Sequence, residues 1–172
     1  MTGRRMASGR LSIRDSRAED REAIGKVENL AYRRTEVADV SRAMILAPVD
    51  TISLVAVIDD TVIGHVLLTR IEGPDRALAL APLAVGPAWR DMQIGTELVR
   101  AALDRARSDG WRCVFVLGMP DFYGRFGFLS RLADCAEIEW QGPRFLALAL
   151  VPGAFDGWQG PLVYPEPFRI IG

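Results

Sequence analysis

Leu78 to Asp109 reads LALAPLAVGPAWRDMQIGTELVRAALDRARSD, and this stretch decides the fold of the chain. It begins with a short, uncharged, apolar run over residues 78–85, which predicts a buried strand. From Thr96 onward the apolar residues recur at helical spacing, and Gly110 follows where a helix C-terminal cap is expected. The junction at residues 90–96 therefore lies between a buried strand and the N-terminus of a helix.

This junction has the chemistry of an anion-binding site. The first amide groups of a helix have no partner within the helix, and the helix dipole places partial positive charge there. Gly95 allows a phosphate to approach the backbone closely, and Arg90 adds a permanent positive charge. Neither a P-loop nor a G-x-G-x-x-G motif occurs in the chain. On these residues alone, the alternative is an ordinary strand–turn–helix connection that binds nothing.

A second motif, PDFYGRFGF at residues 120–128, follows another apolar run at residues 113–117. In this order and at this spacing, the two motifs resemble those of the GNAT superfamily of acyl-coenzyme A N-acyltransferases. The pyrophosphate loop of that family reads Q/R-x-x-G-x-G/A. Arg90 and Gly95 match its ends, whereas Gln93 stands where the family usually has glycine. The family's later motif, aromatic-Tyr-x-Arg/Lys-x-Gly-Phe, matches without departure.

The resemblance, which covers about residues 11–150, implies a fold, a coenzyme and a set of site residues. The implied fold is a mixed sheet in which the fourth and fifth strands splay apart. The pantetheine arm of acetyl-coenzyme A pairs with the fourth strand, and helix amides hold its pyrophosphate. Tyr123 is the implied general acid for the departing thiolate, which a neutral phenol with a pKa of about 10 can protonate. The implied coenzyme-binding residues are Leu83, Ala84, Val85, Arg90, Gln93, Ile94, Gly95 and Thr96.

Gln93 is the one departure from the family pattern in the loop. If the backbone there needs a positive φ, a residue other than glycine costs about 1 kcal/mol. If the backbone is helical, Gln93 costs almost nothing because only its amide is used. We expect the helical case, since residue 93 lies at the entrance of the helix.

Two steps of acyl transfer have no obvious side chain in the sequence. For the oxyanion of the tetrahedral intermediate we expect the backbone amide of Val85 or Ala84. For the proton of the amine, Glu28 and Glu72 are weak candidate bases, and a chain of water molecules is the alternative. We expect His65 to be a packed or hydrogen-bonded core residue.

Composition limits the class of protein. The chain has 172 residues, of which 49% are apolar, which is enough for one domain with a real core. A net charge of −1 gives no electrostatic argument for nucleic acid or a membrane surface. Two cysteines and one histidine predict neither a disulfide framework nor a metal site. With no membrane span and no signal sequence, the chain is expected to be cytoplasmic.

The remaining patterns give the expected domain organisation and fold class. Residues 1–9 are expected to be a flexible tail, residues 10–151 the N-acetyltransferase domain, and residues 152–172 an extension packed on it. The element order is strand–helix–helix–strand–strand–strand–helix–strand–helix–strand, which predicts an α/β fold of the mixed α+β kind. Its central sheet has six to seven strands, with helices on both faces. Pro82 predicts a bulge within the fourth strand, because proline has no amide hydrogen.

Three local features complete the prediction. Residues 16–19 resemble a capping box before the first helix. Asp59 and Asp60 are expected to form a tight hairpin, and Asp121 is expected to cap the short helix that carries Tyr123.

These observations lead to a functional hypothesis. We expect transfer of an acetyl group from acetyl-coenzyme A to a primary amine of a small molecule or peptide, without a metal. Direct attack in a ternary complex is favoured because neither motif contains a cysteine that could carry the acyl group. The alternative is a non-catalytic module that binds acyl-coenzyme A, which Gln93 and the missing base would favour. Exposed edge strands make a homodimer plausible.

Overall fold

The computed structural model describes residues 9–33, 36–47 and 49–170. The expected flexible tail lies, apart from Gly9, outside the described residues. The strands are β1 (Ser12–Asp15), β2 (Thr51–Ile58), β3 (Thr61–Ile71), β4 (Ala77–Val85), β5 (Cys113–Leu117), β6 (Ala136–Glu137), β7 (Phe145–Ala149) and β8 (Gly160–Pro161). The α-helices are α1 (Arg21–Tyr32), α2 (Glu36–Leu46), α3 (Ile94–Ser108) and α4 (Pro120–Tyr123).

One mixed sheet forms the centre of the molecule, in the strand order β1-β2-β3-β4-β5-β7. All neighbouring strands are antiparallel except β4 and β5, which are parallel and are connected through α3. The short strands β6 and β8 form a separate two-stranded sheet. The predicted mixed sheet of six to seven strands is therefore confirmed with six, and the predicted order holds for these strands and the α-helices, whereas β6 and β8 were not predicted.

The parallel pair β4–β5 stays together over only three residue pairs, Ala77 to Ala79 against Cys113 to Phe115. Beyond this point β4 continues for six residues without a partner on that side, so the two strands separate. On the other side of β4 the register with β3 shifts between Val66 and Leu68, opposite the segment that contains Pro82. The expected splay and the expected bulge at Pro82 are both present.

The two faces of the sheet are covered by different parts of the chain. On one face α3 buries the predicted apolar stripe of Val99, Ala102, Leu103 and Ala106. On the other face lie α1 and α2, followed by the segment after β7. Phe168, near the end of the described chain, packs with Met44 of α2 and Leu67 of β3. Helices on both faces therefore enclose β4, the strand that carries part of the candidate site.

Of the two local predictions for turns and helix caps in this part of the chain, one is confirmed and one is wrong. The hairpin at Asp59 and Asp60 is confirmed, with φ angles of 50° and 62°. The capping box is wrong by one residue, because the Asp20 carboxylate accepts the hydrogen bond from the Arg17 amide at 2.7 Å. Ser16 instead donates its hydroxyl to Ser53 of β2.

Candidate active site

The separation of β4 from β5 exposes backbone groups of β4. The Gly86 amide donates to the Ile63 carbonyl at 2.8 Å, and hydrogen-bonded pairs alternate along an antiparallel ladder. Since His65 lies opposite Ala84, this alternation directs the Ala84 polar groups toward β3. The groups of Leu83 and Val85 then face the gap. Of the two amides expected for an oxyanion, the structure favours that of Val85 over that of Ala84.

The N-terminus of α3 lies at the end of this gap. Its first helical hydrogen bond runs from the Glu97 amide to the Gln93 carbonyl at 3.0 Å. The amides of Ile94, Gly95 and Thr96 precede that bond, so no helical carbonyl is available to them. Within the described chain, no side chain caps this helix. The predicted anion site thus has free donors, with an uncapped helix dipole behind them.

The conformation of Gln93 overturns one expectation. Its φ and ψ angles are 61° and 18°, so it is left-handed and not helical as we expected. Asp91, two residues earlier, is left-handed as well, with φ 68°. The physical reason is that the chain leaves an extended residue, Arg90, and must turn sharply to start α3. Gln93 therefore occupies the conformation that the family's glycine would adopt at little cost.

A second arginine reaches the start of α3. The Arg125 guanidinium lies 3.4 Å from the Thr96 hydroxyl and packs over the Phe122 ring at 5.2 Å. The side chain is otherwise exposed. Sequence reasoning placed Arg125 within the second motif but gave it no role. The available signal was the motif position alone, since Thr96 belongs to a different part of the chain.

Tyr123 is the last residue of the short helix α4, which follows β5. It is 9% exposed and packs edge-on against Phe122 and Phe128, at centroid distances of 4.9 and 5.6 Å. Burial raises the pKa of Tyr123 above its usual range, and the nearby Tyr32 phenol adds to the effect. Its phenol therefore stays protonated at neutral pH, which suits a general acid.

Gly118 gives the Tyr123 ring its position. A Cβ atom at residue 118 would overlap that ring, so only glycine allows the close approach. Phe122 lies on the other side of the turn, where its ring tip would be 3.7 Å from a Cβ at Gly95. The end of β5 and the start of α3 are thus joined through α4. Asp121 is not the cap of this helix: Met119 holds the N-cap position, without a side-chain hydrogen bond.

Tyr32, at the end of α1, is a site residue that sequence reasoning did not identify. Its hydroxyl donates to the Leu83 carbonyl at 2.8 Å, which occupies one of the groups that β4 turns toward the gap. Burial raises the pKa of Tyr32. No local signal marks this residue, because its partner lies fifty-one positions later in the chain.

The two candidate bases have different surroundings. Glu28 is fully buried, and its Oε1 lies 2.8 Å from Nδ1 of His65. On the other side of the ring, Nε2 of His65 lies 2.8 Å from the Ser53 hydroxyl, which accepts from Ser16. The expectation of a hydrogen-bonded core histidine is confirmed. Glu72 is exposed and lines a separate depression with Asp50 and Arg70.

Other side chains with possible catalytic or metal-binding chemistry lie apart from the gap or are buried. Burial raises the pKa of the Cys113 thiol to about 12, so this thiol is not a nucleophile at neutral pH. Among the described residues, no three His, Cys, Asp or Glu side chains are grouped to hold a metal ion. Each helix in the described part of the chain is too short or too polar to span a bilayer.

Comparison with known proteins agrees with this geometry. The model of the acetyltransferase (GNAT) family matches residues 13–128. The N-acetyltransferase YhbS of Escherichia coli is 33% identical over 69% of this chain and 75% of its own length. YjhQ of Escherichia coli K12 is 32% identical over 63% of this chain, and the match spans 64% of YjhQ. Both relatives are named as uncharacterised N-acetyltransferases.

Solved structures give the same result. The crystal structure of YhbS from Escherichia coli in complex with CoA has a TM-score of 0.88 at 27% identity, covering 95% of this chain and 94% of that one. A GNAT acetyltransferase from Brucella melitensis in complex with acetyl-CoA has a TM-score of 0.79 at 29% identity, covering 92% and 98%. On the family match over most of the described chain, the protein belongs to the GNAT acetyltransferase family.

Proposed function

We propose that the protein transfers the acetyl group of acetyl-CoA to a primary amine by direct attack in a ternary complex. The observation that carries this proposal is the gap between β4 and β5, which is flanked by the uncapped N-terminus of α3 after β4 and by Tyr123 after β5. The Escherichia coli and Brucella melitensis relatives were solved with CoA and acetyl-CoA. Their resemblance to this chain supports acetyl-CoA as the acyl donor.

The donor is held largely by backbone groups. The amides of residues 93–96 bind the pyrophosphate, and Arg90 and Arg125 supply positive charge near it. The Leu83 amide and the Val85 carbonyl, which face the gap, pair with the pantetheine arm, whereas the Leu83 carbonyl accepts from Tyr32. Ala84 contributes its backbone to the shape of this channel, since its own polar groups are directed toward His65.

The chemistry follows from the position of these groups. The amine nitrogen attacks the thioester carbonyl, a C–N bond forms, and the negative charge on oxygen is stabilised by the Val85 amide. The nitrogen of this intermediate releases its extra proton to water, the C–S bond breaks, and the thiolate takes the proton of Tyr123. The product amide and free CoA leave, and Tyr123 regains its proton from water.

The amine loses its own proton to water. Glu28 is fully buried and engaged by His65, and Glu72 lines a different depression. Turnover should therefore follow the fraction of amine present as free base. We expect kcat/KM to rise about tenfold per pH unit below the pKa of the amine. We expect no decrease in kcat/KM from deprotonation of Tyr123 below about pH 10.

Calorimetry with CoA, followed by thiol-release assays on a panel of amines, tests the proposal. Binding of CoA with acetylation of an amine supports it. Binding of CoA without turnover of any amine would instead support the non-catalytic module. If CoA does not bind, both the acetyltransferase and the non-catalytic module are excluded.

A further inference from the structure

A cavity of about 520 Å³ adjoins the gap between the two strands. It is formed by the bulge of β4, the end of β5, the end of α1, the start of α2, and the chain beyond β6. The residues that line it are Tyr32, Val37, Val40, Leu80, Ala81, Pro82, Leu117, Glu139, Trp140, Tyr164 and Phe168. Because both separating strands line this cavity, a molecule bound in it lies next to the gap.

One wall of the cavity is a continuous aromatic row. Trp140 and Tyr164 pack edge-on at 5.2 Å, and Tyr164 and Phe168 do so at 5.4 Å. Burial raises the pKa of Tyr164, so its phenol remains neutral. Tyr32 uses its hydroxyl on the Leu83 carbonyl, which leaves mainly its ring for a ligand. Such a wall stacks against an aromatic or aliphatic body.

The charge of the cavity is equally specific. Among the described residues that line it, Glu139 is the one charged side chain, and it is exposed. A single carboxylate beside aromatic rings attracts one cation, both directly and through the faces of the rings. A ligand with many ammonium or hydroxyl groups would lose their hydration against apolar walls without gaining partners.

From these walls and this charge, we infer that the acceptor is a primary monoamine with an apolar body, either aromatic or aliphatic. This inference rests on the proposed acetyl transfer and names the class of amine for the same site. Glu139 attracts the ammonium form at the mouth of the cavity, and the apolar body fills the space between the bulge of β4 and the aromatic row. Polyamines and aminoglycosides do not fit this description.

The test compares amines with the purified full chain and acetyl-CoA. We expect kcat/KM for 2-phenylethylamine and hexylamine to exceed that for spermidine or kanamycin by about tenfold or more, because an apolar body gains from burial. Equal or greater kcat/KM for spermidine or kanamycin would overturn the inference and leave the proposed function in place. If CoA does not bind, the proposed function itself fails.

Variants at the mouth sharpen the test. Glu139→Gln should raise KM for 2-phenylethylamine about threefold at low ionic strength, with a smaller effect at high salt. Leu117→Arg should raise the KM for 2-phenylethylamine further, because it places a charged side chain in the lining of the cavity, where Leu117 is 54% exposed. The matched controls are Glu137→Gln and Leu129→Arg, at exposed residues that do not line this cavity. Control and cavity variants that change KM equally would contradict the inference.

A binding measurement covers the case of slow chemistry. In the presence of CoA, 2-phenylethylamine should bind in calorimetry, and Leu117→Arg should weaken that binding. If CoA binds but 2-phenylethylamine shows neither binding nor turnover, the cavity is not an apolar-amine site and the inference is wrong.

Discussion

Between Leu83 and Thr96 the chain offers a ligand mainly backbone groups, whereas the neighbouring cavity offers it mainly side chains. The first region, which we call the coenzyme half, is one continuous stretch of strand, turn and helix with Tyr123 placed beside it. The second, the acceptor half, is the cavity, and its wall comes from α1, α2, β4, β5 and the segment after β6. Backbone recognition depends on the path of the chain. Side-chain recognition depends on which residues distant segments bring there.

This difference explains how proteins that share one fold can bind the same acyl donor and yet act on different acceptors. In the coenzyme half, most substitutions leave the amides in place, provided that the turn before α3 still forms. In the acceptor half, a single exchange such as Glu139 to an apolar residue changes the charge that a ligand meets. Substitutions in the two halves should therefore have different effects. Those in the coenzyme half should change binding of the donor or the chemical step, and those in the acceptor half should change binding of the amine or the stability of the surrounding fold.

The largest effect is expected for Tyr123→Phe, which tests the chemistry of the coenzyme half. The ring contacts with Phe122 and Phe128 remain, so the fold and CoA affinity should not change. Loss of the proton donor should lower kcat by about 10²- to 10³-fold. Steady-state kinetics and calorimetry with CoA measure the two quantities.

Tyr164→Phe is the matched control, since it removes a hydroxyl from the acceptor half. We expect it to change the KM of the amine while kcat stays within about threefold, because Tyr164 lies in the wall of the cavity. If both variants lower kcat to the same extent, Tyr123 is not the general acid.

The second prediction concerns the attachment of α1 to β3, since α1 ends in Tyr32, which lines the acceptor half. Glu28→Ala leaves His65 fully buried without its carboxylate partner, and breaking such a pair costs about 3 kcal/mol of unfolding free energy. Urea denaturation measures this loss. Glu22→Ala on the same helix is the control, because its ion pair with Lys26 spans 3.6 Å between exposed side chains and is worth less than about 1 kcal/mol. Equal losses for both variants would show that the buried pair does not hold α1 to β3.

The same division sets what the sequence could predict. The coenzyme half was predicted from the apolar run, the turn and the motif around Gly95, because its parts are contiguous. Tyr32 and Glu139 were not found, since each acts through residues that are far away along the chain. The pairing of Glu28 with His65 could not be read either, because it depends on how α1 lies across β3. Even in the contiguous half, the backbone angle at Gln93 was predicted wrongly, since a helical pattern does not define its own first turn.

A smaller effect, confined to the donor, is expected for Gly95→Ala. A Cβ atom there would meet Phe122 and Val85 at 3.7 Å, an ordinary contact, so stability should hold. It would, however, narrow the channel where the proposal places CoA, and we expect affinity for CoA to fall about tenfold, or about 1.4 kcal/mol. Calorimetry measures it. Gly25→Ala in α1 is the control and should stabilise the fold by about 0.5–1 kcal/mol without changing CoA affinity. Unchanged affinity in Gly95→Ala would place CoA elsewhere.

The smallest effect is expected for Gln93→Gly, and it tests whether the coenzyme half depends on the path of its backbone alone. The left-handed φ of 61° costs a residue with a Cβ about 1 kcal/mol, which glycine relieves, although glycine also gains entropy in the unfolded chain. We expect a net gain of about 0.5 kcal/mol in thermal denaturation, with CoA affinity equal or slightly higher. Gln93→Ala should give no gain, because alanine keeps the Cβ. If Gln93→Gly instead weakens CoA binding, the Gln93 side chain itself contacts the donor, and recognition in this half extends beyond the backbone.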